Sequence, residues 1–227
     1  SKTFEQLDNT RNKKDDTVHE IQIMQKQIAI AEANKSAFKN AGMGSGIETV
    51  LNAKIKGVHQ PLAQLAEVDS EYVDAINVAM GARAYSIVVD SQDTAYKAIQ
   101  VLRSQGRDRA SFIPMDIIKK APSKLTLPYE KGVVDFAINL IDFDDEYLDA
   151  VYFALGETVV VENETCANKL AGKYRVVTLE GDITEKSGLI TGGAKKKTSG
   201  LFDKSEEKKL EKLKKLYADN EKLYQKL

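Results

Sequence analysis

The sequence predicts an α/β (α+β) domain made of two similar halves and carried between two coil-forming helices. Three observations predict it. Short β-branched runs alternate with helical patterns through the middle of the chain, one segment occurs twice without gaps, and both ends repeat apolar residues every three or four positions in a polar background.

At the N-terminus, Phe4, Leu7, Val18, Ile21, Met24, Ile28 and Ala31 stand at helical spacing. The run Ala41-Gly42-Met43-Gly44-Ser45-Gly46 then reads as a breaker, because glycine favours turns and helix ends over continued helix. At the C-terminus Leu210, Leu213, Tyr217, Tyr224 and Leu227 step by threes and fours, with Asn220 at a seam position and Leu216 and Leu223 widening the stripe. A short isolated helix carries a nucleation cost that burial against a partner must offset. Each terminal segment (1–41 and 203–227) is therefore expected to pair antiparallel with the other. Two unrelated amphipathic surface helices would show the same periodicity.

Between the coils, Tyr85-Ser86-Ile87-Val88-Val89, Thr158-Val159-Val160-Val161 and Tyr174-Arg175-Val176-Val177-Thr178 read as strands. Asp93 to Leu102 reads as a helix, with Ala95, Ala98, Ile99 and Leu102 on one side. The repeat aligns Asp69-Ser70-Glu71-Tyr72-Val73-Asp74-Ala75-Ile76-Asn77-Val78-Ala79-Met80-Gly81 with Asp144-Asp145-Glu146-Tyr147-Leu148-Asp149-Ala150-Val151-Tyr152-Phe153-Ala154-Leu155-Gly156, about half the pairs being identical. In each copy an acidic turn suits the positive end of a helix, an apolar face follows, and a glycine closes it before the next strand. Gly57-Val58 and Gly132-Val133 open the two copies. The expected organisation is a pseudo-twofold pair of subdomains, 47–120 and 132–200, joined by a linker at 121–131 that holds Pro122 and Pro128.

Composition narrows the function classes. With 227 residues, 42% of them apolar, the chain can build a core. The formal net charge of -1 hides a segregation: no Lys or Arg lies between Asp135 and Glu164, whereas Lys186 to Lys215 is basic and contains Lys195, Lys196 and Lys197. One cysteine, Cys166, reads as a small packing residue in a reducing compartment. No apolar run reaches the length of a membrane span, and Lys2, Glu5 and Asp8 are unlike a signal peptide. The absence of an initial Met and the ending at Gln225-Lys226-Leu227 in mid-pattern suggest a piece of a longer protein.

The search for chemistry is negative. Gly42-Met43-Gly44-Ser45-Gly46 lacks the lysine of a phosphate-binding loop, and His19 and His59 have no evident nucleophile or metal partner. Asp142, Asp144, Asp145 and Glu146 lack the glycine and distal glutamate of a calcium loop and read as a solvated helix start. No cofactor or metal is therefore expected. Gly181, Gly188, Gly192 and Gly193 are dense for a packed strand, since each glycine costs backbone entropy and adds no side chain; close backbone approach or a glycine-rich turn would account for them.

These residues resemble a known family. Gly57-Val58, Ala79-Met80-Gly81, Val88-Val89-Asp90 and Arg109-Ala110-Ser111-Phe112-Ile113-Pro114-Met115, then Arg175 to Asp182, Ser187-Gly188 and Thr191-Gly192-Gly193-Ala194, stand in the order found in hinge domains of structural maintenance of chromosomes (SMC) proteins. The G-x6-G-x3-G-G spacing from Gly181 is similar to the family's signature, and Asp108 departs from the glycine usual there. The lysine run looks most like bacterial members, so a prokaryotic source is expected. The resemblance implies a homodimerising hinge without enzyme activity, with ATP and magnesium handled by head domains outside this chain. It implies a dimer contact at Gly181, Gly188, Gly192 and Gly193, and sequence-independent DNA contact at Lys195, Lys196 and Lys197, with Lys173, Arg175 and Lys186 as weaker candidates. Accessory subunits bound elsewhere and a cytoplasmic, nucleoid-associated location follow from the same likeness. A monomeric nucleic-acid-binding module and a duplicated α/β enzyme with helical extensions are the alternatives.

Overall fold

The computed structural model describes residues 17–26, 28, 29, 44–193 and 204–226, and the chain divides into two compact units, 1–37 with 204–227 and 38–203. Helix α1 (17–26, with 28 and 29) belongs to the first unit. The expectations placed on Phe4, Leu7 and Ala31 lie outside the described residues.

In the second unit the first half runs α2 (Gly44–Asn52), β1 (Val58–Pro61), β2 (Ala66–Val68), α3 (Val73–Met80), β3 (Ile87–Val89), α4 (Gln92–Ser104) and β4 (Phe112–Pro114). The second runs β5 (Val133–Phe136), β6 (Ile141–Phe143), α5 (Leu148–Leu155), β7 (Val159–Val161), α6 (Glu164–Leu170), β8 (Val176–Thr178), β9 (Ile183–Thr184) and β10 (Ile190–Thr191). One correction concerns Gly44-Ser45-Gly46, read as a breaker and found as the first turn of α2. Its glycine has a packing reason: a Cβ on Gly46 would lie 2.6 Å from the Asp108 carbonyl oxygen, while Ser45 Oγ donates to the Asp108 carboxylate. That contact also gives Asp108 a role in holding the start of α2.

The repeat is real at the level of single hydrogen bonds. Gly81 and Gly156 close α3 and α5 with φ/ψ of 54/-138 and 55/-139, a region that only glycine occupies at low cost. Asp90 N–H donates to Gly57 O (2.9 Å) as Glu162 N–H does to Gly132 O (2.8 Å), and Met115 N–H donates to Val89 O (2.9 Å) as Leu179 N–H does to Val161 O (3.0 Å). Ser91 and Asn163 cap α4 and α6 through their side chains, accepting from Thr94 N–H and Cys166 N–H. In each half an antiparallel pair (β1 with β3, β5 with β7) adjoins a parallel one (β3 with β4, β7 with β8).

A strand ladder and a shared core, among other contacts, join the halves. Strands β2 and β6 pair antiparallel with Glu67 opposite Asp142, its own counterpart in the repeat, so the pseudo-twofold passes through that pair. Both carboxylates are exposed, which limits the cost of like charges facing each other. Beneath the ladder one core runs through both halves: Leu62, Ile76, Met80, Val88 and Ile113 pack in the same cluster as Phe136, Val151, Leu155, Val160 and Val177. A smaller cluster of Ile47, Val50, Ile87, Val89, Ala98 and Leu102 holds α2 and α4 on the other side of β3.

In the first unit α7 (Lys204–Lys226) lies beside α1. Gln25 Nε2 donates to Tyr217 Oη (2.9 Å) and Asn220 Nδ2 donates to Glu20 Oε2 (3.2 Å), a pairing in which one index falls as the other rises, so the helices are antiparallel. Leu213, Tyr217 and Asn220 are half-buried as seam positions should be, whereas Leu216 is 53% exposed.

Candidate functional site

The second unit's sheets are finished unequally. Five strands stand in the order β10-β9-β8-β7-β5, but the matching sheet in the first half stops at β1-β3-β4. Strand β9 covers the outer edge of β8, and no strand among the described residues covers the equivalent edge of β4. In the ladder with β3, Ile87 N–H donates to Ser111 O and Met115 N–H to Val89 O, so 111, 113 and 115 face inward and Phe112 and Pro114 face the open edge. Pro114 is tolerated there because its missing N–H is on the unpaired side.

Strand β10 is another open edge, as β1 and β5 are at the far ends of the two sheets. Gly188, at φ +91, turns the hairpin from β9, and Glu185 N–H donates to Leu189 O (2.8 Å) to close it. Leu189 and Ile190 are 63% and 65% exposed, and Ile117 just beyond β4 is 60% exposed. Neither β1 nor β5 carries an exposed large apolar side chain. Of the four terminal strands of these two sheets, β4 and β10 are thus the ones with exposed large apolar side chains on or just beyond them.

The glycines expected at a dimer contact fall in and around this hairpin, and three have causes inside the chain. Gly181 turns at φ +92, and a Cβ there would lie 3.3 Å from Val78 Cγ2 on α3. A Cβ on Gly192 would come 2.1 Å from Asp182 Oδ1, the oxygen to which Gly193 N–H donates (3.3 Å). Gly188 serves the turn, and a Cβ on Gly193, at φ +143, would meet nothing within 4 Å.

Residues 55–171 match the family described as the SMC proteins flexible hinge domain. The chain belongs to the SMC hinge family. It is 41% identical over 171 residues, 74% of its length, to the chromosome partition protein Smc of Aquifex aeolicus, of which it spans 14%. In structure it is similar to an asymmetric dimer of the Geobacillus stearothermophilus SMC hinge domain (TM-score 0.67, 26% identity, covering 97% of this chain and 94% of that one). It is also similar to the Pyrococcus furiosus SMC hinge domain (TM-score 0.61, 35% identity, 75% and 88%).

In this SMC hinge domain the charged residues singled out from sequence separate into two groups. The register of β8 with β9 (Val176 opposite Thr184) brings Lys173 and Lys186 to the same end of the sheet, both exposed. Arg175, between them, is engaged inside the chain: Nε lies 3.0 Å from both carboxylate oxygens of Glu185, and Nη1 donates to Ala79 O (2.7 Å) and Thr158 Oγ1 (3.0 Å). Lys195, Lys196 and Lys197 lie outside the described residues.

Sequence reasoning missed the partners of His59. Its Nε2 is 2.6 Å from Asp90 Oδ1 and its Nδ1 3.0 Å from Tyr147 Oη, which ties β1 to the turn before α5 in the other half. Burial, and then the Glu146 carboxylate, push the Tyr147 phenol up and keep it a donor. Both ring nitrogens are thus engaged within the chain. Cys166 is buried against Gly132, and burial pushes its thiol up, away from the reactive thiolate. Asp142, Asp144, Asp145 and Glu146 are exposed, and no group of three or more metal-ligating side chains occurs among the described residues. No helix among them is long and apolar enough to cross a membrane.

Proposed function

We propose that this chain joins two copies of itself, β4 of each receiving β10 of the other, and so links two SMC subunits through their coiled-coil arms. The carrying observation is the unequal completion of the two sheets: β4 is open where its counterpart β8 is covered, and β10 is the last strand of its sheet among the described residues. Pairing an edge with a different edge twice about a twofold closes a dimer and leaves no open end. The Geobacillus hinge domain, described as a dimer, supports the reading. In this reading Gly193 lets the backbone after β10 approach the partner, while Gly181, Gly188 and Gly192 shape the hairpin.

DNA contact is the second part of the proposal. Lys195, Lys196 and Lys197, with Lys173 and Lys186, neutralise backbone phosphates, so binding is independent of sequence and falls steeply with salt. Arg175 leaves this set because its Nε and Nη1 are engaged by Glu185, Ala79 O and Thr158 inside the chain. The role is pairing without bond chemistry, in a chromosome-associated protein whose nucleotide chemistry and accessory subunits belong to other segments.

Sedimentation equilibrium tests the main claim: a dimer at micromolar concentration is expected, and a chain that remains monomeric refutes it. For DNA, replacing Lys195, Lys196 and Lys197 with Glu is expected to weaken binding while the dimer persists; unchanged binding removes those lysines from the contact.

A further inference from the structure

We infer that Arg175 is a positioning residue for the β10 edge, clamping the β9–β10 hairpin of the second half onto helix α3 of the first; this rests on the self-association reading. The guanidinium stands where three parts of the fold meet. On one side both oxygens of Glu185 lie 3.0 Å from Nε, and Glu185 is the residue whose N–H closes the hairpin against Leu189 O. On the other, Nη1 reaches Ala79 O in the last turn of α3 and Thr158 Oγ1 before β7. A cation suits the end of a helix, where carbonyl groups lack intrahelical donors.

The clamp matters because β9 is buried and paired with β8, whereas little else fixes β10. Strand β10 has two residues, both exposed, and pairs only with the two residues of β9 among the described strands. In the turn before β9, a Cβ on Gly181 would lie 3.3 Å from Val78 Cγ2 on the same helix α3, so the chain enters the hairpin close to the first half and is tied there by Arg175. The repeat shows that the clamp belongs to the hairpin. The position matching Arg175 is Ser111, as the equivalent bonds Ile87 N–H to Ser111 O and Val159 N–H to Arg175 O (2.9 Å each) demonstrate, and that half has no hairpin and no arginine there. An edge held in place before pairing loses less conformational freedom on association than one that must first be ordered.

Glu185→Ala frees the hairpin end of the clamp and leaves Arg175 on Ala79 O, so the fold survives. Arg175→Lys keeps the charge but loses the fork that serves Glu185 and Ala79 O together. The experiment is sedimentation equilibrium of the full chain with amide hydrogen exchange on each variant. The dissociation constant is expected to rise about five- to tenfold in both, as loss of a charge-assisted hydrogen bond that is partly open to solvent predicts. Exchange at Glu185 N–H is expected to accelerate, with the amides of β7 and β8 unchanged. Wild-type dimerisation with an unaltered constant in Glu185→Ala overturns the inference and leaves the self-association reading intact; a monomeric wild type fails that reading itself. Equal acceleration in β7 and β8 makes the contact a general stabiliser and also overturns the inference.

Discussion

Replacing Ile190 with Asp tests the proposed edge. Ile190 is 65% exposed in the single chain and Leu189 63%. Complete burial of a Leu or Ile side chain stabilises by about 1.5–3 kcal/mol, so covering what remains exposed of Ile190 is worth about 1–2 kcal/mol. A twofold dimer contains the site twice, which makes the loss about 2–4 kcal/mol before any cost of placing a carboxylate there. At about 1.4 kcal/mol per factor of ten, the dissociation constant should rise at least about 30-fold. The single chain should keep its stability, because the side chain makes little use of its own core. Sedimentation equilibrium over a concentration series gives the constant, and thermal unfolding of the monomeric species gives the control. A constant within about threefold (about 0.6 kcal/mol) of wild type, with the fold unchanged, would mean that β10 is not the pairing edge.

Three further outcomes concern the fold itself. Gly81→Ala and Gly156→Ala should each lower stability by about 1–3 kcal/mol, and by similar amounts, because both glycines have the same backbone geometry and an added Cβ meets nothing within 4 Å; denaturant titration checks this. Asn77 is 6% exposed, and both polar atoms of its amide lack a hydrogen-bond partner in the structure; Asn77→Leu should raise the unfolding free energy by about 1–2 kcal/mol, and a fall would show that the amide is satisfied in solution. Lys120 Nζ (2.7 Å) and Ala121 N–H (2.8 Å) hold the Asp149 carboxyl below its usual value of 3.8. A depressed folded pKa gives stability that is present above the unfolded value and lost as pH falls through the folded one, so Asp149→Asn should flatten the acid end of the stability profile below about pH 4, as acid titration followed by circular dichroism would show.

The parts legible in sequence are those written in backbone chemistry. Gly81 and Gly156 announced the two helix ends because no other residue takes their conformation cheaply. Ile87-Val88-Val89 and Val159-Val160-Val161 are buried throughout, and β-branching alone let both be read as strands without an alternating pattern. Other features were hidden because they depend on distant partners. Gly46 reads as a breaker until the Asp108 carbonyl is beside it, and Arg175 reads as a free cation until Glu185 and Ala79 O surround it. Strands β2 and β6 have three residues each and exist through pairing across the repeat, which neither segment encodes alone.

The shared core has a consequence for how the chain can be cut. The two halves are held by the β2–β6 ladder and by side chains from both sides, and no helix or strand lies between β4 and β5. At the fully exposed Tyr129 itself, between the core-packed Leu125 and the Glu130–Lys169 ion pair, the peptide chain therefore supplies local concentration more than structure. Severing it there turns folding into the association of two fragments, and joining the old ends while opening this one gives a circular permutant with the same contacts in a new order.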